Sequence, residues 1–135
     1  MKKICLLLAA IMCLSLCACR KNTSYEAAEK LDGVWTATWD SFLGEMAHIY
    51  EFEYSGQDSG TCEFYNVMDG EVIVHYSSGV YEVKDGQITM DFHAQIENDG
   101  TIIRLDSSRQ LTLSYTFEDG KLTVMDGDRQ FLQTE

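Results

Sequence analysis

Six Asp-Gly pairs punctuate this chain, at Asp32-Gly33, Asp69-Gly70, Asp85-Gly86, Asp99-Gly100, Asp119-Gly120 and Asp126-Gly127. An Asp-Gly pair accepts the positive φ values of a tight type I′ reversal, and a two-residue alternation of apolar and polar side chains marks a half-buried strand. Both signals meet in Tyr81–Met90 and again in Tyr115–Val124, so each of these stretches reads as a β-hairpin. The cleanest single strand runs through Ile88, Met90, Phe92, Ala94 and Ile96, which alternate with Thr89, Asp91, His93 and Gln95. Glu45–Tyr54 places Met46, His48, Tyr50, Phe52 and Tyr54 on one face. Trp35, Ala37 and Trp39 share a face, and so do Leu111, Leu113, Tyr115 and Phe117. Ser77-Ser78-Gly79 and Asp106-Ser107-Ser108 read as connections, which brings the expected count to nine or ten short strands.

No span of ten or more residues after Leu31 keeps a helical period, which excludes alternating β-α-β architecture. The expected class is all-β, an antiparallel up-and-down barrel of about 8–10 strands, since closure removes exposed strand edges. A β-sandwich is the competing arrangement, but it needs long crossovers that the spacing does not supply. The absence of proline agrees with uninterrupted ladders, because proline removes a hydrogen bond from them. With 135 residues, 45% of them hydrophobic, one domain can bury a core without metal or disulfide staples.

The N-terminus has a different character. Lys2-Lys3 precede an uncharged, mostly apolar run from Ile4 to Ala18, shorter than the ~20 residues needed to cross a bilayer as a helix and typical of an export leader. The run ends Leu16-Cys17-Ala18-Cys19, which resembles the lipobox of bacterial lipoproteins. That resemblance implies cleavage before Cys19, acylation of its sulfur, and a lipid anchor on the extracytoplasmic face of a cell membrane. An ordinary leader cut after Ala18 is the alternative, for which Leu16 is a poor match to the small residue expected there. Residues 1–18 are thus the expected signal peptide, 19–30 a lipidated tether, and 31–135 the barrel domain. Thr23-Ser24-Tyr25-Glu26 has capping-box spacing, so a short helix is expected over residues 24–31.

Charge and cysteine content narrow the partners. Ten basic and 22 acidic residues give a net −12, and loss of a leader carrying two lysines and no acid makes the remainder −14. Such a surface repels phosphate backbones, so no nucleic-acid partner is expected. Removal of the leader takes Cys5, Cys13 and Cys17, and lipid consumes Cys19, leaving Cys62 with no partner for a disulfide. Its alternation with Phe64 marks a buried, inert thiol.

Leu31-Asp32-Gly33-Val34-Trp35 following a short helix is similar to the Gly-x-Trp opening of lipocalins and other calycins, and the whole of 31–135 resembles the small lipocalin-like lipoproteins of bacteria. The resemblance implies that Trp35 closes one end of the barrel with an arginine packed over it, for which Arg129 is the candidate. It also implies a small hydrophobic or amphipathic ligand in the interior.

No Gly-x-Ser-x-Gly elbow, phosphate loop, His-Glu-x-x-His or Cys-x-x-Cys is present, so no catalytic residue, metal site or cofactor is expected, and the chain does not read as an enzyme. Glu51 and Glu53 share a strand face but point to water. His48, His75 and His93 fall on separate strands, and His48, alone among apolar neighbours, is expected to be a hydrogen-bonded core or cavity histidine. The aromatic stripe is either a filled core or, with His48 and Arg104, the wall of a pocket. Trp39, His48, Tyr50, Phe52, Phe92, Arg104 and Tyr115 are the candidate ligand contacts. A tethered protein-interaction or inhibitor module with a solid core and an acidic exterior is the other reading, its protein partner unspecified.

Overall fold

The structure is a computed structural model and describes residues 24–134. The lipobox, Cys19 and Thr23 of the capping box lie outside the described residues. A helix, α1, spans residues 24–31. Eight strands follow: β1 (Gly33–Ser41), β2 (Gly44–Gly56), β3 (Ser59–Met68), β4 (Glu71–Lys84), β5 (Gln87–Ile96), β6 (Ile102–Glu118), β7 (Lys121–Asp126) and β8 (Arg129–Thr134). Each pairs antiparallel with the next, and β8 returns to β1, making a closed up-and-down barrel.

Three of the Asp-Gly pairs form the expected tight reversals with both central residues at positive φ: Asp69 (48°) with Gly70 (81°), Asp85 (51°) with Gly86 (78°), and Asp119 (52°) with Gly120 (74°). The other three are used differently. At Asp126-Gly127 the turn is displaced by one residue, since Asp126 is paired with Arg129 and Gly127 takes the first central position. Asp99 instead accepts the Thr101 N–H through Oδ1 at 2.9 Å. Asp32 joins helix to barrel: its Oδ1 accepts the Tyr54 N–H and its carbonyl accepts the Gln133 side-chain amide, both at 2.8 Å.

Strand number is where the sequence misleads, because both expected connections remain inside strands. Ser77 and Ser78 of β4 together face Glu63 alone, a bulge with Ser78 at φ 54°. Pairing resumes at once at Gly79, opposite Cys62 and Phe92, where a Cβ would come within 2.6 Å of the Phe92 ring. In β6, Leu105–Ser108 form a four-residue excursion opposite His93, after which pairing with β5 resumes at Arg109. Two mergers bring the nine or ten separately counted strands to eight, within the 8–10 expected of the barrel.

The helix covers one end of the barrel. Ala27, Ala28 and Leu31 lie on one helical face and are buried, and Trp35 at the start of β1 donates its indole N–H to the Leu31 carbonyl at 2.7 Å. Above this plug the barrel is solid. Tyr81, Val83, Ile88, Met90, Phe92, Leu113, Val124 and Phe131 each retain less than 2% of their exposure. Tyr50, Phe52 and Phe64 extend the packing, with Phe52 edge-on to Tyr81 and Tyr50 edge-on to Phe131.

Candidate functional site

Burial falls off toward the far end along the inward rows of β1, β2, β3 and β5. Along β1, Trp35 and Ala37 are buried and Trp39 is half-buried; along β2, Phe52 and Tyr50 are buried and His48 and Met46 are half-buried. β3 repeats the gradient from Cys62 and Phe64 to Asn66 and Met68, and β5 from Ile88, Met90 and Phe92 to Ile96. The register confirms that these are single rows, with Trp39 opposite Met46, Ala37 opposite His48, and His48 opposite Asn66. One end of the barrel is therefore plugged and the other is open.

The open end is also incomplete at its side. β1 pairs with β8 only over Val34–Thr36, and β6 pairs with β7 only from Ser114 onward. The short β7–β8 hairpin closes the wall near the plug and leaves Ala37–Ser41 of β1 and Ile102–Leu113 of β6 with one neighbouring strand each. These unpaired edges bound a lateral opening in the hydrogen-bonded wall, with the tip of that hairpin at its base.

Three turns at this end carry exposed apolar side chains. The β1–β2 reversal is Phe42-Leu43, 97% and 62% exposed, held by Ser41 Oγ, which accepts the Leu43 N–H and donates to the Gly44 carbonyl. Val72 and Ile73 follow the β3–β4 turn, and Ile102 and Ile103 follow the β5–β6 turn. A Phe-Leu turn satisfies none of the conformational demands that select Gly, Asn or Asp, so local folding does not explain it.

Inside the mouth, two polar atoms are buried without a hydrogen-bond partner: His48 Nδ1 and Asn66 Oδ1, on directly opposed residues. His48 is edge-on to Trp39 at 4.8 Å and to Phe64 at 5.1 Å. Burial holds its pKa below the ordinary 6.5, with the Asp126 carboxylate pulling up and the Arg129 guanidinium pushing down. The hydrogen-bonded role expected for His48 is thus not what the structure has: its Nδ1 is orphaned. A third orphan, the Tyr81 hydroxyl, lies in the plugged half, where burial raises its pKa.

The candidate ligand contacts divide between the two halves. Tyr50, Phe52 and Phe92 belong to the packed core; Trp39 and His48 line the mouth; Tyr115 is half-buried opposite Val124, and Arg104 is exposed on β6 opposite Ala94. Arg129 does not cover Trp35. Its Cζ lies 3.5 Å from the ring centroid of Trp39, because β8 starts at the open end while Trp35 sits at the plugged one. Sequence reading missed Asn66 and Arg109. Asn66 was detectable as the one polar side chain in the row Cys62, Phe64, Asn66, Met68, whereas Arg109 was hidden by the β6 excursion.

Two further features lie on the outer wall. Glu63 Oε2 accepts from the Tyr65 hydroxyl at 2.8 Å and contacts His75 Nε2 at 3.2 Å, with the Tyr65 and His75 rings stacked at 4.1 Å. This cluster ties β3 to β4 across the bulge. Grooves of about 550 and 530 Å³ flank the same bulge, the first lined by Glu51, Glu53 and Glu63 and both by Thr61 and Val80. Cys62 is buried, and burial pushes its thiol up to about 12, so it is no nucleophile at neutral pH. Among the described residues no three His, Cys, Asp or Glu side chains gather as a metal site, and no helix is long and apolar enough to cross a membrane. No protein family, curated protein or solved structure matches this chain.

Proposed function

We propose that the protein is an exported, lipid-anchored, lipocalin-like barrel that holds a small hydrophobic or amphipathic molecule in its open half. The observation that supports this most is the pair of orphaned polar atoms, His48 Nδ1 and Asn66 Oδ1, inside a half-buried mouth. An unpaired buried polar atom costs about 1–3 kcal/mol, a cost that a ligand's own polar group relieves. Trp39, Met46, Met68 and Tyr76 supply the apolar wall around them. The solid half below serves as a rigid base and leaves no room for a ligand spanning the full barrel. Catalysis forms no part of this function.

Native mass spectrometry of protein purified from its own membrane tests the binding: a 1:1 adduct of lipid mass is expected, and adduct-free protein that takes up no added amphiphile would sink the reading. The anchor is tested separately. Cys19→Ser should move the protein out of the membrane fraction, and unchanged fractionation would remove the lipoprotein part.

A tethered interaction module is the second reading, supported by the nearly complete exposure of Phe42 on its turn. Pull-down from detergent-solubilised envelope should then recover one protein through wild type and lose it through Phe42→Ser/Leu43→Ser.

A further inference from the structure

The barrel domain is strongly acidic, yet its few cations are not scattered. Residues 31–135 contain only Lys84, Arg104, Arg109, Lys121 and Arg129, and all three arginines lie at the open end while both lysines flank turns at the plugged end. Their register is equally selective. Arg104 is directly opposite Ala94 and Arg109 directly opposite Phe92, both buried inward-facing residues, and directly opposed residues in an antiparallel pair share a sheet face.

The β6 excursion produces this arrangement. Arg104 and Arg109 are five positions apart, so simple alternation would put them on opposite faces. Four residues of β6 facing one of β5 bring both onto the inner register. Arg129 stands at the base of the lateral opening, on the tip of the β7–β8 hairpin, with its Cζ over the Trp39 ring of β1. Two guanidinium groups on the β6 lip and one at the base, against Trp39 of the β1 lip, therefore border the opening.

These arginines are not neutralised internally. Among the described residues the only basic and acidic side chains within salt-bridge distance of each other are His75 and Glu63, so none of the three arginines has a carboxylate that close. Asp126 is opposite Arg129 in register and acts on His48, yet the guanidinium stacks on the indole instead. Asp106 is in the excursion between the other two, and Glu71 is opposite Met68 across the mouth. A surface charged to −12 would gain solubility from acids at the rim, whereas three unpaired arginines there need a separate reason.

We infer that the lateral opening between β1 and β6 is an anion-binding side entrance, at which Arg104, Arg109 and Arg129 hold the carboxylate or phosphate head of an amphiphile whose tail lies in the open half. Guanidinium groups suit this task because they stay charged, fork onto paired oxygens and shed water more readily than an ammonium. The Trp39 face fixes the Arg129 fork, and Ile102, Ile103, Phe42 and Leu43 give the tail an apolar approach. The inference rests on the ligand-binding reading above and specifies its chemistry.

The test uses the full chain carrying Cys19→Ser, so that no lipid anchor competes, and three probes of equal tail: decanoate, decanol and decyltrimethylammonium, each kept below its micelle-forming concentration. Binding is followed by tryptophan fluorescence, where Trp39 responds and Trp35, 4% exposed under the helix, does not; Trp39→Phe should abolish the signal. Decanoate should bind about tenfold or more tighter than decanol, the cation weakest, and added salt should narrow the difference. The triple variant Arg104→Gln/Arg109→Gln/Arg129→Gln should reduce decanoate to the decanol level and leave decanol unchanged; the three side chains are exposed, so circular dichroism should show the fold intact. Equal affinity for all three probes, preference for the cation, or a decanoate preference that survives the triple variant would overturn the anion site while the ligand reading stands. Failure of every probe to bind would overturn both.

Discussion

The plugged and open halves of this barrel share the same strands and the same two-residue rhythm, yet they have opposite properties. Below the level of Phe92 the inward row is packed with aromatic and aliphatic side chains, and the helix residue Leu31, with Trp35, covers its end. From that level upward the inward row includes His48, Asn66, Arg104, Arg109 and Arg129, and β1 and β6 each lack a hydrogen-bonded neighbour on one side. Hydrophobic burial can fix the fold from one end alone, which frees the other end to carry residues that folding would not choose. Stability should therefore reside in one half and binding in the other.

The largest test of that division is a pair of phenylalanines. Phe92, with no exposed surface, contributes to the packed half, and Phe92→Ala should lower stability by about 3–5 kcal/mol, read as a shift in urea midpoint. Phe42, on the rim, is 97% exposed, and Phe42→Ala should change stability by no more than about 0.5 kcal/mol. Comparable losses at both positions would mean that the rim is part of the folding core. Next in size is Gly79→Ala, which should cost about 1–3 kcal/mol, since its Cβ would be forced to 2.6 Å from Phe92 at the boundary between the halves.

Most of the fold was legible because a strand's period is two and one face of each strand is dry. Trp35, Ala37 and Trp39, or Ile88 through Ile96, can be assigned to one side without knowing their neighbours. What escaped depends on pairing between strands. Ser77-Ser78-Gly79 has the composition of a turn, and only contact with Phe92 and pairing with Cys62 show that the chain continues as a bulge. The same limit applies to the site: no alternation rule spans Leu105–Ser108, so the shared face of Arg104 and Arg109 is invisible until β5 is beside them. Likewise Arg129 could be named as an arginine covering a tryptophan, but which tryptophan depends on where β8 meets β1.

The two tryptophans offer a finer comparison. Trp35→Phe removes the buried hydrogen bond to the Leu31 carbonyl and should cost about 0.5–1.5 kcal/mol, besides loosening the helix so that its amides exchange faster. Trp39→Phe removes the better ring beneath Arg129 at a partly exposed site, where such a contact is worth about 0.5–1 kcal/mol. If exchange speeds up throughout α1 in Trp39→Phe as well, the halves are coupled more tightly than their packing implies.

The smallest effect is a pH slope that belongs to the open half alone. His48 is flanked by Trp39 and Phe64, faces Asn66, and feels Asp126 and Arg129; burial is the largest influence, so its folded pKa lies below the 6.5 of the unfolded chain. Between those two values the unfolded chain binds the proton and the folded one does not. The contribution of His48 to stability is therefore fully present above pH 6.5, declines as pH falls below it, and levels off once the folded imidazole itself protonates. His48→Phe should flatten the urea midpoint across about pH 5 to 8 relative to wild type, and it should leave the midpoint at the alkaline end unchanged or slightly higher, because an orphaned Nδ1 is removed along with the charge. A bound amphiphile whose polar head or shoulder reaches Nδ1 changes the sign of the comparison: a hydrogen bond accepted from the imidazole holds the proton on, raises the folded pKa, and shrinks the slope in wild type but not in His48→Phe. Measuring the wild-type slope with and without decanoate separates three placements: a carboxylate reaching Nδ1 shrinks the slope, an alkyl tail filling the mouth with its head on the arginines buries the imidazole further and steepens it, and a molecule resting only on the rim leaves it as it was.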